Sequence, residues 1–402
     1  MIRKFLTIAP LVLLLAACRS GGGSDASNAN GFDAERAMAD VEQLASVIGE
    51  RPSGSEAATA AADYIATEFA GARFGVLRST YTYELDPNRP ATVLAGNETV
   101  PAVTAGGSKV GIASGTAIAV GEADALPAGS LTGKIAIATR GGTSFWEKYN
   151  AVRAAGASAL IIANTEPGEL VADLGATAII PVVSVNSAAA EMLAPTVAAA
   201  GTLTVEVVAP DLGEGVNIVA RSATAHACVY LLMANYDSAP GSAGANDEAS
   251  GIAVMLELAR QFARRDELPA VCFIAMDGGA SGSTGVASYA NALRTASQPA
   301  AVIDLHDVGA GGTLKVSGET TLLSDATKIA GEFGIPIQAV SSLPFSSDLA
   351  YFNAPGTATL QVFRTGGQGA KDNVADIQPE NLRGAGLVVG ELLTRISEIV
   401  DP

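Results

Sequence analysis

The sequence predicts an α/β fold in which a doubly wound, mostly parallel sheet is interrupted by a smaller, β-rich α/β insertion. Three observations predict it. Apolar runs at Cys228 to Ala234 and Val271 to Met276 read as strands buried on both faces. Each is followed by apolar residues at three- and four-residue spacing: Ile252, Met255, Leu258 and Phe262 after the first, Val286 to Leu293 after the second. Strand-helix alternation of this kind builds a parallel sheet covered on both sides, with its functional crevice at the carboxyl ends of the strands. Between Val93 and Pro210 the character changes to short β-like runs with many glycines around one helix. A chain of 402 residues with 49% hydrophobic residues has room for both domains.

The elements follow in order. Arg3 and Lys4 precede an apolar run from Phe5 to Ala17, too short to span a bilayer and of the length of a secretory signal. It ends in Leu15-Ala16-Ala17-Cys18, a bacterial lipobox pattern, so residues 1–18 are read as a lipoprotein signal peptide and Cys18 as the lipidation site. Several acyl chains hold a protein on a bilayer where one does not. Residues 19–32, rich in Gly and Ser, are the tether. The expected location is the bacterial cell envelope, lipid-anchored, facing the periplasm or the cell surface. No other segment reaches about 18 uninterrupted apolar residues.

Asp33 can cap a helix carrying Ala37, Val41, Leu44 and Ile48, and Arg51-Pro52-Ser53-Gly54-Ser55 breaks it before a second helix through Ala61, Ile65 and Phe69. Residues 93–210 form the insertion: a strand at Ile135 to Thr139, a Gly turn, a helix, a strand at Ala159 to Ala163 and a further run at Ile180 to Val183. It contains no His and no Cys. Residues 33–92 and 211–402 form the main domain, with further strands at Ala301 to His306 and Thr357 to Phe363 and a closing helix from Pro379 to Val400. A net charge of −17 makes nucleic acid a poor partner. Cys228 and Cys272, in an oxidising compartment after export, are open to two states, a disulfide or buried free thiols.

The stretch Asn235-Tyr236-Asp237, followed by Gly244-Ala245-Asn246-Asp247-Glu248-Ala249-Ser250-Gly251, resembles the metal-binding segment of the dizinc aminopeptidase and glutamate carboxypeptidase family, metallopeptidase family 28. There a strand ends in His-x-Asp and a Gly-Ala-x-Asp-x-x-Ser-Gly loop opens a helix. The insertion is similar to a protease-associated domain, through Gly133 to Gly141, Phe145, Lys148, Ala154 to Ala157 and Ile180 to Val183. The resemblance implies a zinc exopeptidase-like fold in which the strands carrying Cys228 and Cys272 are neighbours, which makes a disulfide between them feasible.

Paired-zinc hydrolysis needs a bridging carboxylate, further ligands on each ion and a carboxylate base. The resemblance puts Asp247 on the bridge and Asp237 on the residue that orients the first histidine. Asn235 stands in place of that histidine. Gly279 and Ala280 fall on the Glu-Glu pair that supplies base and ligand, and Leu349 replaces the histidine of a Ser-Asp-His-x-x-Phe segment. His306 falls on a ligand position; His226 is the only other histidine. Amide, glycine, alanine and leucine are poor ligands or none. Gly279-Ala280-Ser281-Gly282-Ser283 lacks the final glycine of a nucleophile elbow and reads as a loop filling the space of the lost glutamates.

The expectation is a catalytically impaired, exopeptidase-like envelope lipoprotein with no cofactor, binding a peptide or protein ligand or scaffolding through the old substrate cleft. Family members that combine both domains without peptidase activity give that role a precedent. The alternative is a mononuclear zinc aminopeptidase or amidohydrolase using Asp247 and His306. Fold alone does not decide between them.

Overall fold

The computed structural model describes residues 31–86, 89–222, 228–265, 271–294, 298–343, 347–366 and 372–398. The signal peptide, Cys18, the tether up to residue 30 and His226 lie outside the described residues. The strands are β1 (Gly75–Glu84), β2 (Pro90–Ala95), β3 (Glu98–Thr104), β4 (Gly111–Gly121), β5 (Lys134–Thr139), β6 (Ala159–Ala163), β7 (Val182–Val185) and β8 (Thr202–Val207). They continue with β9 (Leu212–Arg221), β10 (Tyr230–Asn235), β11 (Val271–Met276), β12 (Ala301–His306), β13 (Leu314–Gly318), β14 (Ile337–Ala339) and β15 (Ala358–Phe363). The helices are α1 (Ala34–Glu42), α2 (Glu56–Gly71), α3 (Phe145–Ala154), α4 (Ser187–Ala198), α5 (Gly251–Phe262), α6 (Thr284–Leu293), α7 (Thr320–Phe333) and α8 (Pro379–Glu398). Among the described residues no helix is long and apolar enough to cross a membrane.

The chain divides into two compact units, one made of the residues up to Ser79 together with those from Asn217 onward, the other of Thr80–Val216. The second unit is wider at both ends than residues 93–210, because the long strands β1 and β9 carry the chain across each boundary.

The larger sheet has the order β1-β9-β11-β10-β12-β15-β13-β14. Its centre is parallel, with Tyr230 registered on Val271 and on Ala301, and Ala301 on Ala358. β9 and β13 run antiparallel to their neighbours β11 and β15. Alternate residues of β11 show that both faces are covered. Phe273 packs on Phe69 of α2, Phe74 and Phe262 of α5, with ring centroids 5.8, 5.2 and 6.0 Å away. Cys272, Ile274 and Met276 face the other way, into an apolar cluster with Val286 and Ala290 of α6. Cys228 and Cys272 are disulfide-bonded, with Cα atoms 5.3 Å apart, so the lead-in to β10 is stapled to β11.

Asp33 caps α1 by accepting a bond from the Arg36 backbone N–H at 3.0 Å. Glu257 of α5, fully buried, accepts from the Arg36 guanidinium at 2.6 Å, and Arg260 pairs with Asp40 at 2.6 Å. Burying α5 on every side is therefore compatible with its charges.

In the second unit β2-β3-β7-β6-β5-β4-β8 close into a barrel. Ile135, Ile137 and Ile161 belong to one apolar cluster with Ala189 and Leu193 of α4, while Ala136, Ala138, Leu160 and Ile162 belong to a second with Tyr149 and Val152 of α3. Lys148 is buried and donates to the Glu122 carbonyl at 2.7 Å. The sequence predicts one helix here, and α4 is a second. Ala189 and Leu193 are its buried residues, with Ala190, Met192 and Val197 half-buried against the same cluster, so an alanine-rich segment with Pro195 inside it shows little helical periodicity.

Candidate functional site

The site is built where the central strands end. β10 finishes at Asn235, and Arg51 holds the two loops beyond it. The Arg51 side chain has no solvent exposure and donates to the carbonyls of Leu44, Gly49, Tyr236, Ala243 and Gly244. Burial pushes this guanidinium down to about 10, against the pull of Asp237, Glu248, Asp372 and Asp247. The Arg-Pro-x-Gly-Ser turn is thus a clamp under the site, a role its sequence does not announce.

The segment Ala245–Ser250 carries the retained Asp247. It is a wide helical turn broken at Asp247, where φ −107° and ψ 81° leave the helical region. Both ends are tied down. The backbone N–H groups of Asn246 and Asp247 donate to the two carboxylate oxygens of Asp372 at 2.8 and 2.9 Å. Asn246 Oδ1 accepts from the Gly309 and Ala310 N–H groups at 2.8 and 2.7 Å, fixing the turn to the exit of β12. The break leaves Asp247 exposed and turns the next residue, Glu248, inward.

His306 ends β12 beside that turn. Its Nδ1 lies 3.6 Å from Glu248 Oε2, and its Nε2 lies 3.5 Å from Asp307 Oδ2. Asp247, Glu248 and His306 each bring one donor atom within 4.8 Å of the others. Burial acts to lower the His306 imidazolium, but Glu248, Asp307 and Asp304 outweigh it and hold the imidazole well above its usual range. Glu248 is pushed well above the carboxylate range by burial and by Asp247, with His306 acting against the shift. Asp304 is pushed up to about 7 by burial and the neighbouring Asp348.

The remaining sequence-derived positions are placed differently. Asn235 Nδ2 donates to Asp348 Oδ2 at 2.7 Å, and Asp348 also accepts a short bond from the Ser283 hydroxyl. Gly279 lies against Asn235, since a Cβ at 279 would stand 2.8 Å from its Cγ. Asp237 accepts from the backbone N–H groups of Gly279 at 2.8 Å and Ala280 at 3.1 Å, so it orients the loop that follows β11. Burial and the Asp277 charge push it up to about 7. Ala280 is exposed. Leu349 joins the apolar cluster of Met276 and Val286.

The structure therefore unites Asp247 and His306, groups Asn235, Asp237, Gly279 and Ala280 at the tips of β10 and β11, and sends Leu349 into the core. A pair of zinc ions does not fit this set. Gly279, Ala280 and Leu349 carry no donor, and Asn235, whose amide nitrogen bonds Asp348, offers a single neutral oxygen. Sequence reasoning missed Glu248, which sits at a position the motif leaves free, and Asp372, far along the chain. The signal for Glu248 is the break at Asp247, which lets two successive carboxylates face one point.

Residues 217–393 match peptidase family M28, and residues 92–193 match the PA domain. Aminopeptidase YwaD of Bacillus subtilis (strain 168) is 27% identical over 270 residues, 65% of this chain and 58% of that protein. The chain thus spans little more than half of that relative's length. Among solved structures, the aminopeptidase from Aneurinibacillus sp. strain AM-1 has a TM-score of 0.60 at 22% identity, covering 90% of this chain and 94% of that one. BSAP, a zinc aminopeptidase from Bacillus subtilis, has a TM-score of 0.56 at 24% identity, covering 91% and 95%. At such identities these two likenesses show the fold. The chain is thus similar to peptidase family M28 over residues 217–393 and to the PA domain over residues 92–193.

Proposed function

We propose that this chain is a catalytically impaired member of its family, binding a peptide or protein ligand at the strand tips and held at the bacterial envelope by acyl chains on Cys18. One observation carries the reading: Gly279, at the base position, can neither take a proton nor make room for a side chain that does, because Asn235 lies against it. Without a base to take the proton of water, positioning a peptide bond at these strand tips gives binding without turnover. The test uses zinc-saturated protein, assayed against aminoacyl chromogenic substrates and short peptides and, in parallel, for thermal shift with a peptide library. Background hydrolysis with a raised Tm for at least one peptide is expected. Hydrolysis that Asp247→Ala abolishes would overturn the reading.

The second reading is a mononuclear zinc aminopeptidase or amidohydrolase using Asp247 and His306, and the meeting of these two residues with Glu248 favours it. The same assay separates the two. For the anchor, labelling with a palmitate analogue should tag the wild-type chain and fail with Cys18→Ser, which should also leave the membrane fraction. Labelling that survives the substitution would remove the anchor from the reading.

A further inference from the structure

We propose that Asp247, Glu248 and His306 form a single divalent-metal site in which Glu248, a residue at none of the paired-metal ligand positions, replaces the donors lost from β11 and from Leu349. The inference rests on the non-hydrolytic reading above. In it the ion helps to hold a ligand, and no bond is broken.

Two carboxylates and an imidazole are a donor set that suits zinc, manganese or cobalt. Donors bound at about 2.0–2.2 Å to one ion stand roughly 3.3–3.6 Å apart in a tetrahedral site. Atoms already within 4.8 Å of one another reach that spacing by side-chain adjustments of about an ångström. Arg51, whose charge reaches Asp247 and Glu248, spends its hydrogen-bond donors on main-chain carbonyls.

An independent observation comes from β10. Asn235 is 5% exposed, and its Oδ1 is a buried acceptor with no hydrogen-bond partner among the described residues. Its amide nitrogen is given to Asp348 Oδ2, and the oxygen is left over. β10 and β12 pair in parallel as far as Met233 opposite Asp304, and the same register extended by two residues sets Asn235 level with His306. An orphaned buried carbonyl keeps its full desolvation penalty. A cation, or a water bound to one, beside His306 would satisfy it.

The chain is stripped with chelator, dialysed and titrated with Zn²⁺ by calorimetry and with Co²⁺ by visible absorption, with bound metal counted by elemental analysis. One equivalent per chain is expected, with a cobalt d–d spectrum. Glu248→Gln and His306→Ala should each weaken binding at least tenfold, while Ser281→Ala should leave it unchanged. No bound metal, two equivalents, or full binding by Glu248→Gln would each overturn the inference. If the variants do not fold, the wild-type stoichiometry decides alone. Peptidase activity of the same loaded sample would sink the non-hydrolytic reading while leaving the metal site standing, and absence of metal would do the reverse.

Discussion

Asn235 lies against Gly279, with its side chain 2.8 Å from where a β-carbon at 279 would stand. Asn235 thus fills the space in front of Gly279, and a change at one position bears on the other.

Gly279→Glu should therefore not restore hydrolysis. Forcing a side chain against Asn235 costs about 1–3 kcal/mol, read as a lowered midpoint in urea. Asn235→Ala in the same chain should recover much of that loss, since the double variant removes the clash. Equal, additive losses in the two single variants and the double would show that the residues do not oppose one another.

Arg51→Met removes the donor from five carbonyls at once. Leaving buried acceptors unpaired costs about 1–3 kcal/mol each before relaxation, so a loss above roughly 3 kcal/mol is expected in urea unfolding. Arg51→Lys should not rescue it, because one ammonium cannot span the fork of acceptors. A loss under about 1 kcal/mol would show that the loops hold themselves.

Asp237 gives a pH dependence whose sign can be worked out. Its carboxyl is pushed up to about 7 in the folded protein, so the fold binds the proton more tightly than the unfolded chain does. The stability it contributes is present at acid pH and is lost as the pH rises from about 4 to about 7, after which the curve is flat. Asp237→Asn should flatten that window by about 1.4 kcal/mol per pH unit relative to wild type. Parallel curves for the two proteins would contradict the shift.

The disulfide between Cys228 and Cys272 closes a sequence separation of 44 residues. Replacing both with serine should lower stability by about 2–4 kcal/mol, measured under oxidising conditions. Equal midpoints for wild type and variant in the absence of reductant would show that the bond does not contribute.

The sequence makes β10, β11, β12 and β15 legible because each is an apolar run long enough for a buried strand and too short for a helix. β13 and β14 are not legible: Lys315, Ser317 and Gln338 put polar residues into strands at one end of the sheet. Asn235, Gly279, Ala280 and Leu349 are picked out by motif spacing, residue by residue. How they pack is not, because Asn235 and Asp348 are 113 residues apart and their bond depends on how β10 and the loop before β15 meet. Glu248 is adjacent to a known position and still hidden, since only the dihedral break at Asp247 brings its carboxylate to His306.

The β-rich unit closes its seven strands on themselves. Degradative enzymes and self-association both begin by adding an extended segment to a free rim of backbone groups, and a cylinder without a seam offers none. Among proteases, such a module can persist for as long as its staves stay together.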